Sequence, residues 1–327
     1  MGKKVDMTKK YVIVKKKCSK FKIFLIMIAV IALFTTIVSC GNEENNNSLD
    51  IDSKTDIPEA IPDIQTDDPA TEQEKESIST TEITLAEQEV YNDNGIVVTV
   101  TGIDTNSIWG TEISVLIENN SDQNVTVQPR NSSINGYMID FQMSCDIVAG
   151  KKANDCMIIT NEDLEASGID TISSIEFLLT IFDSDTWDDI ANSGTIALIT
   201  SASDYIQEYD DSGEVVYNEN GFKIVSKGII EDELWGPQII LYIENNTDTD
   251  ITVQSRDTSV NGFMIDGTIS SDITAGEKIV DEITFLTEAF EANGITEINE
   301  FEVAFAIFDM ESWEDIITTS PIVISFK

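Results

Sequence analysis

The sequence predicts an all-β chain in which two copies of one small sandwich domain follow an export leader and an acidic stalk. Three observations predict it. Residues 88–200 and 214–327 are a gapless duplication at a shift of 126 positions, each copy alternates apolar and polar residues with the period of a strand, and turn residues punctuate that alternation every eight to twelve positions.

The duplication is plain in its landmarks. Trp109-Gly110 recurs as Trp235-Gly236, Glu118-Asn119-Asn120 as Glu244-Asn245-Asn246, Asn135-Gly136 as Asn261-Gly262, and Phe182-Asp183 with Trp187 as Phe308-Asp309 with Trp313. About four positions in ten are identical between the copies, too many for chance. At roughly 110 residues each copy has the size of an ordinary domain, which favours two beads on a string over a solenoid. The polar segment 201–213 is the expected linker.

Two copies also reveal the pleat, because surface positions drift toward polar residues while core positions stay apolar. Ile96 and Val98 match Phe222 and Ile224, whereas Val97 and Thr101 match Lys223 and Lys227. The same comparison turns Ile113, Val115 and Ile117 inward with Ile239, Leu241 and Ile243, and Val125 and Val127 inward with Ile251 and Val253. Asn119-Asn120-Ser121-Asp122 and Asn245-Asn246-Thr247-Asp248 supply turn chemistry. Residues 175–181 and 301–307 read as a well-buried strand, and short helical turns are expected at 161–167 and 184–190. About seven strands in roughly 110 residues describe an immunoglobulin-like sandwich.

The N-terminus predicts export. Nine lysines against Asp6 in residues 1–22 precede an apolar run, Ile23 to Val38, and the run ends in Ile37-Val38-Ser39-Cys40-Gly41. That ending resembles the bacterial lipobox, which implies a leader at 1–39 and a diacylglyceryl group on Cys40. An uncleaved membrane anchor is the alternative, although the run is shorter than the roughly 20 apolar residues of a spanning helix. Either reading places the domains on the outer face of the bacterial cytoplasmic membrane, tethered to it. Residues 40–87 lack aromatics and are rich in Asp, Glu, Asn, Ser and Thr, the composition of a disordered stalk.

The formal charge of −41 includes +8 from that leader, leaving −49 on the remainder. So acidic a surface repels phosphate backbones, which excludes nucleic acid as a partner. The chain has no histidine, which excludes Ser-His-Asp and Cys-His catalysis and every histidine metal site. No enzyme activity and no resident cofactor are expected.

The turn and strand motifs allow a resemblance to be named. The run Gly95-Ile96-Val97-Val98-Thr99-Val100, the turn Ile117-Glu118-Asn119-Asn120-Ser121-Asp122 leading into Val125-Thr126-Val127, and Ala149-Gly150-Lys151 before the next strand resemble telokin-like immunoglobulin-fold domains of bacterial surface lipoproteins. The resemblance spans both copies, with Ala149-Gly150 and Ala275-Gly276 where Pro-Gly is common. It implies a fold and carries no site residues.

Candidate sites follow from chemistry alone. Asp183, Asp185, Asp188 and Asp189 match Asp309, Glu311, Glu314 and Asp315, either as oxygen ligands for calcium or as the capped start of a short helix whose Trp187 packs inward. Arg130 and Arg256, the chain's two arginines, are equivalent; each either pairs internally with a carboxylate, Asp140 and Asp266, or faces a ligand. Trp109, Tyr137, Trp235 and Phe263 lie beside glycines in turns, where an aromatic either packs inward or contacts a sugar or protein. Cys145 and Cys156 sit symmetrically about Gly150-Lys151, so a hairpin there sets them opposite each other within reach of a disulfide, the alternative being two free thiols. Two functions remain open: a tethered module that binds an envelope or extracellular protein or glycan, or a structural spacer of the envelope.

Overall fold

The computed structural model describes residues 82–326 apart from 233–235; Cys40, the leader, most of the stalk and Trp235 lie outside the described residues. The chain is all-β, with two sandwiches that repeat each other element by element. In the first, one sheet runs β1 (Gln88–Asp93), β2 (Ile96–Ser107), β3 (Gly110–Asn119) and β7 (Lys151–Ile159), all antiparallel. The facing strands are β4 (Val125–Ile134), β5 (Tyr137–Met138), β6 (Cys145–Ile147), β8 (Ser174–Asp183), β9 (Asp189–Asn192) and β10 (Ile196–Ile199), with β8 and β6 both pairing with β4. Because β3 crosses to β4 and β7 returns to β3, the connections are of the Greek-key kind that defines an immunoglobulin-like sandwich.

The second sandwich repeats this plan. Its strands are β11 (Glu214–Glu219), β12 (Phe222–Asp232), β13 (Gly236–Asn245), β14 (Ile251–Val260), β15 (Phe263–Met264), β16 (Gly267–Thr268), β17 (Ser270–Ile273), β18 (Lys278–Phe285), β19 (Glu300–Asp309), β20 (Asp315–Thr318) and β21 (Ile322–Ser325). One short helix follows the returning strand in each copy, α1 (Asn161–Ala166) and α2 (Thr287–Asn293). Thr160 caps α1 by accepting the Asp163 N–H at 3.1 Å. The helix expected at 184–190 is instead a tight turn followed by β9. Among the described residues no helix is long and apolar enough to cross a membrane.

The pleat falls where the paired sequences place it. Ile96, Val98, Ile113, Val115, Ile117, Val125 and Val127 are buried in one core, and Phe222, Ile224, Ile239, Leu241, Ile243, Ile251 and Val253 in the other. The first core begins earlier than the sequence suggests. Leu85, within the expected stalk, is buried in it, and Thr84 exchanges hydrogen bonds with Ser201.

The copies are docked, unlike beads on a loose string. Strand β5 runs parallel to β18, with the Lys278 N–H donating to the Gly136 carbonyl at 3.0 Å. Tyr137 packs edge-on against Tyr209 of the linker and Tyr242 of the second copy, at 5.3 and 6.3 Å between ring centroids. Val225 and Tyr242, on the outer face of the second sandwich, belong to the first core, and Met138 belongs to the second. Linker carboxylates are pinned as well, Asp210 by Lys227 at 2.8 Å and Asp211 by Lys223 at 2.5 Å. The Lys227 ammonium, which donates to the Asp210 carboxylate, holds its pKa down at about 2.

Candidate functional site

Each sandwich exposes one tryptophan in the turn after its most buried strand, and the two turns share the same backbone hydrogen bonds. The Asp183 side chain accepts the backbone N–H groups of Asp185 and Thr186 at 2.8 and 2.9 Å, and the Trp187 N–H donates to the Asp183 carbonyl at 2.8 Å. The second copy does the same with Asp309, Glu311, Ser312 and Trp313, at 3.0, 2.7 and 2.9 Å. Those N–H groups, Thr186 and Ser312 foremost, hold both aspartates below the usual carboxylate range.

This turn forces a bulky residue into the left-handed region, with φ of 66° at Trp187 and 60° at Trp313. Such a conformation costs on the order of 1 kcal/mol or more for a residue bearing a Cβ. Both indoles remain 68 % exposed and stack on Phe182 and Phe308, at 5.1 and 5.3 Å between centroids and 25° between planes. The result is a flat aromatic shelf with one face covered by phenylalanine. Trp187 therefore does not pack inward, because no helix forms to turn it there.

The acidic residues around this shelf do not converge on a point. Among the described residues no three side chains of His, Cys, Asp or Glu are disposed to hold a metal ion. Asp183 and Asp309 cap their own turns, Asp188 accepts from the Thr186 hydroxyl at 2.9 Å, and Asp189 and Asp315 begin strands β9 and β20.

The other candidates divide. Trp109 is 56 % exposed in the β2–β3 turn. Tyr137 is fully buried at the joint between copies, where burial pushes its phenol up to about 12, so the Asn135-Gly136 turn does not present it to solvent. Its counterpart Phe263 is 47 % exposed. Neither arginine makes the expected internal pair. Arg130 and Arg256 are exposed and donate to Gln128 and Gln254 two residues back on their own strands, and neither comes within ion-pair distance of Asp140 or Asp266, which are also exposed. An arginine at the sheet surface reaches the side chain at i−2 on the same face more readily than a carboxylate across a turn.

Both cysteines are free thiols, and the hairpin expected to oppose them does not exist. The Ala149-Gly150 turn crosses between sheets: β6 pairs with β4, setting Cys145 against Val127, and β7 pairs with β3, setting Cys156 against Ser114. Cys145 points into the core beside Asp155, while Cys156, one residue on, takes the opposite face of the pleat. Burial, with the Asp155 carboxylate adding to it, pushes the Cys145 thiol up to about 12. The second copy replaces this thiol with the Ser271 hydroxyl, which donates to Asp281 at 2.7 Å.

A polar cleft of about 270 Å³ opens at the joint, lined by Asn135, Glu176, Tyr205, Gln207, Tyr209 and Glu277. The Glu277 Oε2 is buried there without a partner. Burial, and then the charge of Glu176, raise its pKa above the ordinary glutamate range. A carboxyl that binds its proton more tightly when folded destabilises the fold once charged, so stability falls as pH rises through that raised pKa. Glu277→Gln is therefore expected to stabilise the chain near neutral pH by about 1 kcal/mol, roughly 2–4 °C in Tm. Thermal melts of both proteins should converge below about pH 4, where the wild-type carboxyl is protonated in either state; a constant offset across pH would place the effect elsewhere.

No family model matches the chain, and no curated protein does. Among solved structures it is similar to the YadV chaperone (12 % identity, TM-score 0.22, covering 71 % of this chain and all of that one). It is also similar to the Salmonella enterica SafA pilin in complex with the SafB chaperone (11 %, 0.21, 66 % and 89 %). A third similarity is to red sea bream transglutaminase (8 %, 0.19, 74 % and 31 %).

Proposed function

We propose that the chain is a lipid-anchored bacterial surface protein that binds an envelope or extracellular glycan or protein through its paired Trp187 and Trp313 shelves. The observation that carries this reading is the recurrence, in both copies, of an exposed indole on a left-handed backbone. Conformational strain that recurs at one surface position, with a large apolar ring held open to water, is more readily explained by binding than by folding. A ring with one free face suits the apolar face of a sugar or a flat protein patch, and the neighbouring carboxylates can accept hydroxyl hydrogen bonds. Two copies on one docked body add avidity. The lipobox at Cys40 and the telokin-like resemblance supply the tether and the family context as expectations from sequence.

Capture from envelope extract by the full chain in detergent tests it. Trp187→Ala and Trp313→Ala are each expected to weaken retention roughly tenfold and the double variant to abolish it, since aromatic anchors carry most of the energy of such contacts. Unchanged capture by the double variant removes the shelves from the function. The docked joint, with its pinned linker, favours a second reading, a stiff envelope spacer; that reading is left standing if neither wild type nor variant retains anything.

A further inference from the structure

The joint inside the chain is a template for a joint between chains. Its donor side is β5, where Tyr137 and Met138 are 1 % and 8 % exposed because the second copy covers them. The equivalent residues of the second copy, Phe263 and Met264, form the same two-residue strand after the same left-handed Asn261-Gly262 turn, and are 47 % and 75 % exposed. Its acceptor side is the edge of β18 with the turn before it, which presents Thr274, Glu277, Lys278 and the ring of Tyr242. The first copy carries the counterparts Lys151 and Lys152 on β7, the last strand of its sheet, Val148 in the turn before it and Leu116 on the neighbouring β3. Val148 is 58 % exposed, and both lysines are exposed.

We infer that this protein assembles head to tail: Phe263 and Met264 of one molecule dock on the β7 edge of a second copy, repeating the internal joint. Side-chain chemistry favours the contact at its rim, while Thr99 and Asn154 stand where the internal joint has Val225 and Val280, so the contact between molecules is weaker than the one within the chain. Met264 meets Val148, so two exposed apolar side chains bury each other, in place of Met138 and Thr274 at 3.3 Å inside the chain. Where Glu277 faces Glu176 internally, Lys151 faces Glu302, and a like-charge contact becomes an opposite one. Asp266 meets Asp155 as Asp140 meets Asp281 inside the chain, a repulsion the internal joint already tolerates. Such a contact joins two different surfaces, so unless its rotation closes a ring it propagates into rows.

Sedimentation of the full chain in detergent over a wide concentration range, at low and high salt, decides it. The wild type is expected to grow into dimers and longer species, more readily at high salt, which screens the repulsion between two strongly acidic chains. Lys151→Glu and Glu302→Lys should each weaken association roughly tenfold, the double charge swap should recover it, and Met264→Asp should abolish it. Lys151 and Met264 are exposed, so these changes leave the fold in place, which circular dichroism checks. A wild type that stays monomeric, a swap that recovers nothing, or association indifferent to all four changes overturns the inference; none of these results bears on capture through Trp187 and Trp313.

Discussion

Asn119→Ala is expected to destabilise the chain by about 3 kcal/mol, among the largest effects available to a polar residue. Asn119 ends β3 and is fully buried. Its Nδ2 donates to the carbonyls of Gln123 and Ile147, both at 2.8 Å, while its Oδ1 accepts the Ser121 N–H at 3.0 Å and the Ser121 hydroxyl at 2.6 Å. One side chain thus closes the turn between sheets and ties it to β6, where the Ile147 carbonyl it serves is buried. Asn245 does the same for Thr249, Ile273 and Thr247. Alanine takes this donor from the Ile147 carbonyl and the acceptor from the Ser121 N–H, each costing about 1–3 kcal/mol where water does not replace the amide, while the Gln123 carbonyl keeps the Ser121 hydroxyl at 3.2 Å. Asp is worse, since it cannot donate to either carbonyl and adds a buried charge. Urea unfolding measures the loss, and a change under 1 kcal/mol would show that water substitutes freely in this turn.

The sequence recognised Asn119 as turn chemistry and missed its burial, and the difference marks what was legible. Strand pleat is local, with period 2, and the duplication read it twice, so Ile96, Val98, Ile113 and their partners were assigned correctly to the core. Burial of Asn119 depends on β6, which lies 26 residues on and across the sandwich. Cys145 and Cys156 failed for a related reason. Symmetry about Gly150 is a hairpin argument, and a sandwich uses that turn to change sheets. Trp187 failed because a left-handed residue within a short polar run has no periodicity to betray it.

The docked joint left a signal that was there to be used. Outer-face positions should drift toward polar residues in both copies, yet Thr99 and Asn154 become Val225 and Val280 in the second, and Leu116 becomes the larger aromatic Tyr242. All three face the first copy and pack against its core. Apolar drift on one copy's outer face is the mark of a surface covered by its neighbour, and it separates a docked pair from beads on a string. It also goes with the burial of Tyr137, which the second copy covers, where its counterpart Phe263 is 47 % exposed.

Gly136→Ala and Gly262→Ala should differ, and the difference measures the joint. Both glycines sit in the same Asn-Gly turn with φ of +84° and +83°, so a methyl costs each about 1 kcal/mol in left-handed strain. At Gly262 the methyl meets nothing within 4 Å. At Gly136 it would lie 2.6 Å from the Tyr209 hydroxyl and 3.2 Å from Glu277 Oε2. Tyr209 has little freedom to yield. Its hydroxyl donates to the Asn135 carbonyl at 3.0 Å, its ring meets Tyr137, and the Lys278 ammonium lies 4.3 Å from its centroid. Moving it loses a hydrogen bond, an aromatic contact and a cation–π contact, each about 0.5–1.5 kcal/mol, and strains the Lys278 bond to Gly136. Gly136→Ala is therefore expected to cost about 3 kcal/mol against about 1 kcal/mol for Gly262→Ala, and to open the segment between Tyr205 and Gly213 to proteases. Urea titrations at concentrations low enough to keep the chain monomeric, with limited proteolysis beside them, read both effects. Equal costs and an unchanged digestion pattern would mean that the joint adds nothing to stability and that the two sandwiches stand as independently as their sequences first suggest.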